Sequence, residues 1–457
     1  MRRTSVSDRC AAASAALRQA PWRLNGAVAG VSGLGVEVAG LSFHTSIGDR
    51  LRLCTDNGTE LDAEIVGFRN NLAQAMTLGP VEGLGPGSLA FAPAGPRETM
   101  SRSASLAPSR AWLGRVLDPL GQPLDGKPPP SPGKQRFRVR ASPPQAVERA
   151  RLGPRLDYGV KALNCFAPSR AGQRLGLFAG SGIGKSTLLG MLTRGASCDV
   201  AVVALVGERG REVREFIEDE LGPEGMARAV VVVATSDAPP LLRREAAHAA
   251  MTIAEYFRDE GQSVLLLMDS VTRFCLALRE IGLSVGEPPA TRGYPPSVFA
   301  ELPRLLERAG PGRDGAGAGF ITALFTVLVE GDDHNEPIAD AVRGILDGHI
   351  ILDRRIAEAG RYPAIDVLRS LSRAAAGCNQ PEQEELAMRA RRILSIYAEM
   401  ADMVRLGAYR AGSDAAIDEA VAIAPRIEAM LQQAREERVD AEASFAALAQ
   451  ALHGEGK

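Results

Sequence analysis

The chain has 457 residues, which is long enough for two or three domains with a substantial core. Its formal net charge of −2 argues against a surface built to bind nucleic acid. No apolar run reaches the length of a transmembrane helix, and the start of the chain lacks a convincing signal-peptide core. The six cysteines are scattered without a CxxC pair, so we expect free thiols in a reducing cytoplasm rather than disulfides or a zinc site.

The first hundred residues divide into a tail and a region of short strands. Residues 1–24 are rich in alanine and arginine, and we expect a tail that is either disordered or a short amphipathic helix. From residue 25 to residue 98, short alternating segments and the turn sequence Asp56-Asn57-Gly58 predict a small β-barrel. Such a barrel can bind oligonucleotides, but that function needs stacking aromatic rings, and the candidates are few: Phe43, Phe68 and Phe91.

The segment from residue 99 to residue 380 alternates strand and helix patterns after a linker rich in proline, serine and arginine. Its apolar runs have the length of buried parallel strands: residues 175–178, 200–206, 230–233, 264–268, 320–329 and 349–352. Helical patterns lie between them, at residues 210–221, 239–259 and 337–346. This order predicts an α/β fold with helices on both faces of a parallel sheet. Ligands of such sheets bind at the carboxyl ends of the strands.

A glycine-rich turn joins the first of these strands to a helical pattern, and its sequence is Ala179, Gly180, Ser181, Gly182, Ile183, Gly184, Lys185, Ser186 and Thr187. Strand, loop and helix in this order are the context of a phosphate-binding loop, in which backbone N–H groups point at phosphate oxygens. Lys185 would place its charge on the β- and γ-phosphates, and the Ser186 hydroxyl would bind Mg²⁺. A turn that only packs a helix onto a sheet is the weaker alternative, because both flanking elements fit.

Two acidic residues follow apolar strands of the predicted sheet. Asp269 ends one strand, where a carboxylate can complete the shell of a Mg²⁺ ion held by the loop; the alternative is a helix N-cap. Glu208 follows another strand, where a carboxylate can orient a water molecule beside the γ-phosphate. The alternative for Glu208 is a surface ion pair with Arg209 or Arg211, and spacing alone leaves these two interpretations open.

Strand signals cease in the segment from residue 381 to residue 457. Apolar residues recur there at helical spacing, and two further helical patterns follow at residues 417–431 and 439–452. We predict a separate helical domain. It contains no catalytic motif, so the chemistry is expected in the preceding α/β segment.

Several motifs occur together and in order along the chain: the loop at residues 179–187, Gly207-Glu208-Arg209, the Asp269 strand with Arg273, Tyr294-Pro295-Pro296-Ser297, Asp347-Gly348-His349-Ile350 and Tyr362-Pro363-Ala364-Ile365-Asp366. The chain resembles the catalytic subunits of rotary ATPases and the related ATPases of flagellar and type III secretion export. It is most similar to the flagellar protein export ATPases. The resemblance implies a RecA-like P-loop ATPase core, preceded by a small N-terminal β-barrel and followed by a C-terminal helical domain.

The resemblance also implies roles for individual residues in the hydrolysis of ATP with Mg²⁺. Glu208 would be the catalytic carboxylate, Arg209 would lie beside the nucleotide, and Tyr362 would pack on the adenine ring. The alternative for Tyr362 is a core tyrosine next to Pro363. Arg373 would be an arginine finger that reaches the nucleotide of a neighbouring copy, with a surface salt bridge as the alternative.

The implied function is that of an Mg-ATP hydrolase that energises flagellar protein export as a homohexameric ring. The ring would be cytoplasmic and peripherally associated with the inner-membrane base of the flagellum. Its expected partners are further copies of the chain, regulatory and stalk subunits, export chaperones and flagellar substrates, and the membrane-embedded export gate. No nucleic acid is expected as a partner.

Four alternatives remain beside this function. An injectisome ATPase of virulence-type secretion shares every motif given above. A catalytic subunit of an F-type or V-type ATPase is more remote, because the acidic C-terminal stretch of the F-type subunit is missing here. An RNA-driven ring helicase and a ring subunit that binds ATP without turnover are the remaining two.

Overall fold

The computed structural model describes residues 22–94, 104–315, 317–329 and 336–453. Residues 1–21, which form most of the tail expected at the start of the chain, lie outside the described residues. The first strand begins at Trp22, three residues before the barrel boundary expected from the sequence. Within the described ranges, no helix combines the length and the apolar composition needed to cross a lipid bilayer.

The strands of the described residues are β1 (Trp22–Ser32), β2 (Gly35–Ala39), β3 (Arg50–Cys54), β4 (Glu60–Arg69), β5 (Leu72–Thr77), β6 (Leu89–Ala94), β7 (Ser105–Leu106), β8 (Arg115–Leu117), β9 (Phe137–Arg138), β10 (Arg155–Leu156), β11 (Ser169–Arg170), β12 (Arg174–Ala179), β13 (Val200–Glu208), β14 (Ala229–Thr235), β15 (Ser263–Asp269), β16 (Gly310–Pro311), β17 (Phe320–Leu328), β18 (Gly348–Ile351) and β19 (Leu371–Ser372).

The α-helices are α1 (Lys161–Phe166), α2 (Lys185–Gly195), α3 (Gly210–Glu215), α4 (Gly222–Ala227), α5 (Pro240–Asp259), α6 (Val271–Ser284), α7 (Pro296–Leu306), α8 (Pro337–Ile345), α9 (Arg354–Glu358), α10 (Pro381–Arg405), α11 (Ala415–Leu431) and α12 (Ala441–His453). Short 3₁₀ helices occupy Arg110–Trp112, Ala146–Glu148 and Thr291–Gly293. The helix expected at residues 210–221 is divided, because α3 is followed by a π-helix at Phe216–Leu221.

Strands β1 to β6 form a closed antiparallel barrel in the order β1-β2-β5-β4-β3-β6. The expected alternation is clear on β3, where Leu51 and Leu53 are buried and Arg52 between them is exposed. Gly58 closes the turn between β3 and β4 at φ +80°, a conformation that glycine adopts without a Cβ clash. The predicted N-terminal barrel is therefore confirmed.

The central sheet contains nine strands in the described residues. Eight follow the order β19-β18-β12-β17-β15-β13-β14-β8, and β16 pairs with β17. The pairs from β18 to β8 are parallel, as predicted. The two-residue strands β16 and β19 pair antiparallel and were not expected from the sequence. Helices cover both faces, so β13 and β15 are buried over almost their whole length.

The C-terminal helices α10, α11 and α12 pack on the α/β region. Ile393 of α10, Ile427 of α11 and Leu448 of α12 belong to the same core as Leu188 and Leu189 of α2. These contacts explain why the helical pattern continues to the end of the chain, since each helix needs one apolar face for this core. The helical segment is therefore present as predicted, and its core is continuous with that of the sheet.

A cluster of five charged residues joins the barrel to helix α5. We call it the seam cluster; it consists of Arg50, Glu64, Arg140, Arg244 and Glu245. Arg244 Nη2 donates to Glu64 Oε1 and Oε2 at 2.8 and 2.9 Å, and to Glu245 Oε1 at 2.7 Å. Arg140 Nη2 donates to Glu64 Oε1 at 2.8 Å. Each glutamate is 1% exposed, a burial that carboxylates tolerate only when they are paired.

Candidate active site

The carboxyl ends of three parallel strands bring the predicted site residues to one edge of the sheet. Strand β12 leads into the glycine-rich loop, β13 ends at Glu208, and β15 ends at Asp269. Strands β13 and β15 are direct neighbours, with Leu205 opposite Asp269. Residues that are far apart in the chain therefore meet because of the parallel topology.

The loop between β12 and α2 has the backbone of a phosphate cradle. Gly182 and Gly184 have φ values of +76° and +85°, in the left-handed region that favours glycine. Gly184 is the N-cap of α2 and provides no side-chain cap, so the first N–H groups of the helix stay available to an anion. Ser181, Gly182 and Ser186 are exposed, whereas Ile183 is buried and anchors the loop in the core.

Lys185 connects the loop to both acidic residues. Its Nζ lies 2.6 Å from Asp269 Oδ1 and 3.6 Å from Glu208 Oε1. Burial opposes the ammonium charge, but the two carboxylates outweigh it and raise the pKa of Lys185. The lysine thus stays protonated at neutral pH, as a ligand of phosphate oxygens must.

Glu208 has fewer side-chain hydrogen-bond donors around it than Asp269 has. Its Oε1 atom is buried and has no hydrogen-bond partner. Burial and the charge of Asp269 raise the pKa of the Glu208 carboxyl to about 7, against the opposing effect of Lys185. A carboxyl poised near neutrality can accept a proton from water. The backbone of Glu208 is fixed, because its carbonyl accepts the Ser236 N–H at 2.9 Å.

Asp269 is buried, and both of its side-chain hydrogen-bond donors among the described residues reach the same oxygen, Oδ1. Besides Lys185 Nζ, the Thr326 hydroxyl lies 2.7 Å from its Oδ1 atom. The alternative role of Asp269 as a helix N-cap does not apply, because Ser270 caps α6 and accepts the Arg273 N–H at 3.2 Å. The carboxylate is therefore available for another purpose at the strand end.

The oxygen donors at this edge fit a magnesium ion carried by a triphosphate. Ser186 exposes its hydroxyl beside Lys185, and no hydrogen bond to it is found among the described residues. Within the same residues, no three histidine, cysteine or acidic side chains gather into a metal-binding group. Mg²⁺ is commonly bound through one or two carboxylates together with substrate phosphates and water, which matches one carboxylate and one hydroxyl. Glu208 Oε1, which has no hydrogen-bond partner and lies 3.6 Å from Lys185 Nζ, is at the same edge.

Tyr362 lies against the loop and not in the core. A Cβ atom placed on Gly184 would lie 3.3 Å from ring atoms Cδ1 and Cε1 of Tyr362. The tyrosine is 45% exposed, and its carbonyl accepts the Gln433 N–H at 2.8 Å. An exposed ring at this place offers a stacking face for a base whose phosphates occupy the loop.

Neither of the two arginines expected at the site forms a side-chain hydrogen bond or ion pair with the loop, Glu208 or Asp269 in the part of this chain that the structure describes. Arg209 is exposed, with Nη1 3.2 Å from Glu212 Oε1. Arg373 follows β19, and its N–H donates to the carbonyl of Asp347, the residue just before β18. It therefore lies at the amino ends of the parallel strands, opposite the loop. The six residues of β12 alone separate those edges by roughly 20 Å, which is too far for Arg373 to reach its own loop.

The exposed Arg373 side chain also lacks a partner of its own. Among the described residues, it forms no ion pair and no side-chain hydrogen bond, so the surface salt bridge offered as the alternative is not present in this chain.

One further residue of the glycine-rich loop forms a side-chain hydrogen bond. The Thr187 hydroxyl donates to Glu220 Oε1 at 2.8 Å and connects α2 to the π-helix.

Three residues near the site received no role from the sequence. Arg354 Nη2 donates to the carbonyl of Ser181 in the loop at 3.1 Å. Arg273 packs its aliphatic part against Gly207, and its Nε is buried without a partner. Thr326 contacts Asp269. The sequence offered two signals for these residues. Arg273 belongs to the Asp269 motif, and Thr326 is a hydroxyl residue within an apolar strand.

Two family models match the chain. Residues 159–372 match the nucleotide-binding domain of the ATP synthase alpha/beta family, and residues 379–450 match the T3SS EscN ATPase C-terminal domain. The first match contains the loop and both acidic residues. The second contains helices α10 and α11 and most of α12.

Comparisons over the full length give the same result. A flagellum-specific ATP synthase of Caulobacter vibrioides is 52% identical over 95% of this chain and 97% of its own length. A type 3 secretion system ATPase of Xanthomonas euvesicatoria is 48% identical over 87% of both chains. The structure of the assembled ATPase EscN from enteropathogenic E. coli superposes with a TM-score of 0.85 at 37% identity, covering 93% of this chain and all of EscN.

The resemblance inferred from the motifs is confirmed by these matches, and so is ATPase activity. The sheet edge, the loop and the acidic residues lie within the matched nucleotide-binding domain. The chain belongs to the family of flagellum-specific ATP synthases, the ATPases of flagellar and type III secretion export.

Proposed function

We propose that this protein hydrolyses Mg-ATP at sites shared between neighbouring copies in a homohexameric ring, and that hydrolysis energises flagellar protein export. The observation that carries the proposal is the separation of Arg373 from its own phosphate loop. An unpaired arginine at one edge and a nucleotide site at the other complement each other when copies pack side by side. Arg373 then acts as the finger of the neighbouring site.

Each residue of the loop edge has a role in this proposal. The backbone of residues 179–187 cradles the phosphates, and Lys185 binds the β- and γ-phosphates. Ser186 and Asp269 hold Mg²⁺, which neutralises charge on the phosphate oxygens. Glu208 orients the attacking water and accepts its proton, a function supported by its raised pKa.

Three further residues complete the nucleotide site. Tyr362 stacks on the adenine ring, supported by its exposed position against Gly184. Arg209 comes to lie beside the γ-phosphate. This requires that it exchange the Glu212 partner for the phosphate, an exchange that is inexpensive because the pair is exposed. Arg273, which packs against Gly207 and whose Nε atom is buried without a hydrogen-bond partner, adds positive charge at the same place.

The cellular setting follows from the relatives. EscN has been described both as an assembled ATPase and in complex with its central stalk EscO, which supports a ring with a stalk partner here. We place the ring in the cytoplasm, peripherally at the base of the flagellum, with regulatory subunits, chaperones, substrates and the export gate as its other partners. Export by an injectisome is the second candidate, supported by the 48% identical type 3 secretion ATPase.

The shared site can be tested with two inactive variants. Arg373→Ala should assemble but hydrolyse ATP roughly 10³–10⁵-fold more slowly, because the transition-state charge loses its finger. Glu208→Ala should also be inactive. In rings assembled from equal amounts of both, about one interface in four pairs an intact Glu208 with an intact Arg373, so activity should return. ATPase rate is measured against protein concentration and mixing ratio.

The control is Arg369→Ala, an exposed arginine on the same segment that already pairs with Asp353 in its own chain. It should keep most of its activity. Absence of recovery in co-assembled rings would exclude a finger supplied by a neighbour.

Two further measurements separate the alternative functions. Stimulation of the ATPase rate by RNA would favour a ring helicase. Loss of motility on deletion of the gene would favour flagellar export over an injectisome.

A further inference from the structure

A buried hydroxyl lies behind the acidic edge of the site. Thr326 belongs to β17, the strand between the loop strand β12 and the Asp269 strand β15. It is fully buried, and its Oγ1 atom lies 2.7 Å from Asp269 Oδ1 and 3.1 Å from the carbonyl oxygen of Met268. A hydroxyl in the middle of a parallel sheet is costly unless it is hydrogen-bonded, so these two contacts explain how it is tolerated.

The hydroxyl has one proton and two acceptors. A carboxylate is the stronger acceptor, and it is also the nearer one, so the proton is donated to Asp269 Oδ1. Lys185 Nζ donates to the same oxygen at 2.6 Å. Among the described residues, no donor reaches the other oxygen, Oδ2. Two donors thus occupy one side of the carboxylate and leave its second oxygen free.

We propose that Thr326 is a positioning residue that fixes the orientation of the Asp269 carboxylate for its metal ion. The inference rests on the proposed place of Asp269 in the magnesium shell. When Lys185 turns to the phosphates, Thr326 is the donor that remains on Oδ1, and it keeps Oδ2 directed away from the sheet. Partners of metal ligands commonly affect metal affinity in this way.

Another threonine on the same strand provides a matched control. Thr322 is 1% exposed, and its hydroxyl accepts the Gly172 N–H at 2.9 Å near the amino end of β17, four residues before Thr326 on the same strand. Its replacement by valine removes a buried hydroxyl of the same kind. A purely structural role for Thr326 would give both valine variants the same behaviour.

The test compares Thr326→Val, Thr326→Ser and Thr322→Val in the full-length protein. Mn²⁺ serves as the metal probe, and its binding in the presence of ADP is followed by electron paramagnetic resonance. Thr326→Val should bind Mn²⁺ about tenfold more weakly and need correspondingly more metal for half-maximal ATPase rate. Thr326→Ser, which keeps the hydroxyl, should restore both values. Thr322→Val should bind Mn²⁺ like the parent, whatever its melting temperature.

Unchanged Mn²⁺ affinity in Thr326→Val, or an equal loss in Thr322→Val, would overturn the inference. If Thr326→Val does not fold, Thr326→Ala gives the same comparison. Asp269→Asn separates this inference from the proposed function. Should Asp269→Asn bind Mn²⁺ normally, the metal site itself is misassigned; should it lose Mn²⁺ while Thr326→Val does not, only the role of Thr326 is wrong.

Discussion

The molecule contains two buried groups of charges that differ in how completely they are paired. In the seam cluster, three arginines surround Glu64 and Glu245. Burial opposes the charge of Glu245, but Arg244, Arg140 and Arg50 together lower its pKa to about 2. At the catalytic edge, Lys185 is the one cation in ion-pair contact with Glu208 and Asp269 among the described residues.

The number of cations decides what each group can do. An excess of arginine keeps Glu245 of the seam charged at any physiological pH, which suits a permanent joint between barrel and core. Burial and the charge of Asp269, opposed by one contacting lysine, leave Glu208 with a pKa of about 7, so its charge can change during a reaction. Carboxylates and cations thus form a permanently charged joint in the seam cluster, whereas at the strand edge they leave the charge of Glu208 able to change.

Removing the reactive carboxylate should produce the largest effect. Glu208→Ala is expected to bind ATP and to lower turnover by roughly 10²–10⁴-fold, the usual contribution of a positioned base. Nucleotide binding and steady-state phosphate release are measured on the same preparation. Normal turnover would show that the incompletely paired carboxylate is not the base, and the contrast between the two clusters would lose its functional meaning.

Breaking the seam should affect stability and spare the chemistry. Arg244→Ala leaves two buried carboxylates without their shared donor and should cost about 3–5 kcal/mol of unfolding free energy. Arg304→Ala is the control, since Arg304 and its partner Glu301 are 69% and 34% exposed and such pairs contribute about 0–1 kcal/mol. Denaturant unfolding gives both values. A kcat of folded Arg244→Ala far below that of the parent would contradict the separation of the two clusters.

The pH dependence gives the smallest effect and separates the clusters by the pH range in which each responds. Glu208 is protonated below its pKa of about 7, so kcat/KM should decline with falling pH, approaching about tenfold per pH unit. The folded pKa of Glu245 is lowered, so seam stabilisation is complete above the unfolded value of about 4.3 and is lost as pH falls toward about 2.

The stability difference between the parent and Arg244→Ala should therefore stay constant from pH 6 to pH 8 and shrink only in acid, while activity changes over the neutral range. A stability difference that varied in parallel with kcat/KM would mean that one titration controls both regions. Thermal unfolding and initial rates in the same buffers provide the two curves.

Local patterns were sufficient for the main elements of the fold. The alternation on β3 and the turn at Gly58 predicted the barrel, and the apolar runs predicted the parallel strands. Both signals are local, because the spacing of apolar residues and the choice of turn residues depend on only a few neighbouring positions. The glycine-rich loop could be located by its flanking strand and helix. The placement of Glu208 and Asp269 at the same edge followed from the topology of a parallel sheet.

The features that the sequence did not predict depend on contacts between distant parts of the chain. The Arg244–Glu64 pair spans 180 positions, and the Thr326–Asp269 contact spans 57. No local pattern encodes such pairs. The expected helix is divided at residue 216, and the π-helix that begins there packs closely on α2, where a Cβ on Gly190 would lie 2.9 Å from Glu220 Cβ. The position of Arg373 opposite the loop could be predicted only by knowing that β19 pairs antiparallel with β18.

The bond between Ser236 and the carbonyl of Glu208 has a mechanical consequence. Helix α5 starts four residues after Ser236, and Arg244 of the seam lies in its second turn. Arg244 therefore lies about one helical turn from the start of α5, at roughly 5.4 Å per turn. The strand that ends at Glu208 is thus connected to the barrel through one backbone hydrogen bond, the first turns of α5 and the seam cluster. If Glu208 orients the attacking water as proposed, a displacement of its strand during turnover would be transmitted to the barrel along this path, and a partner that immobilised the barrel would slow hydrolysis.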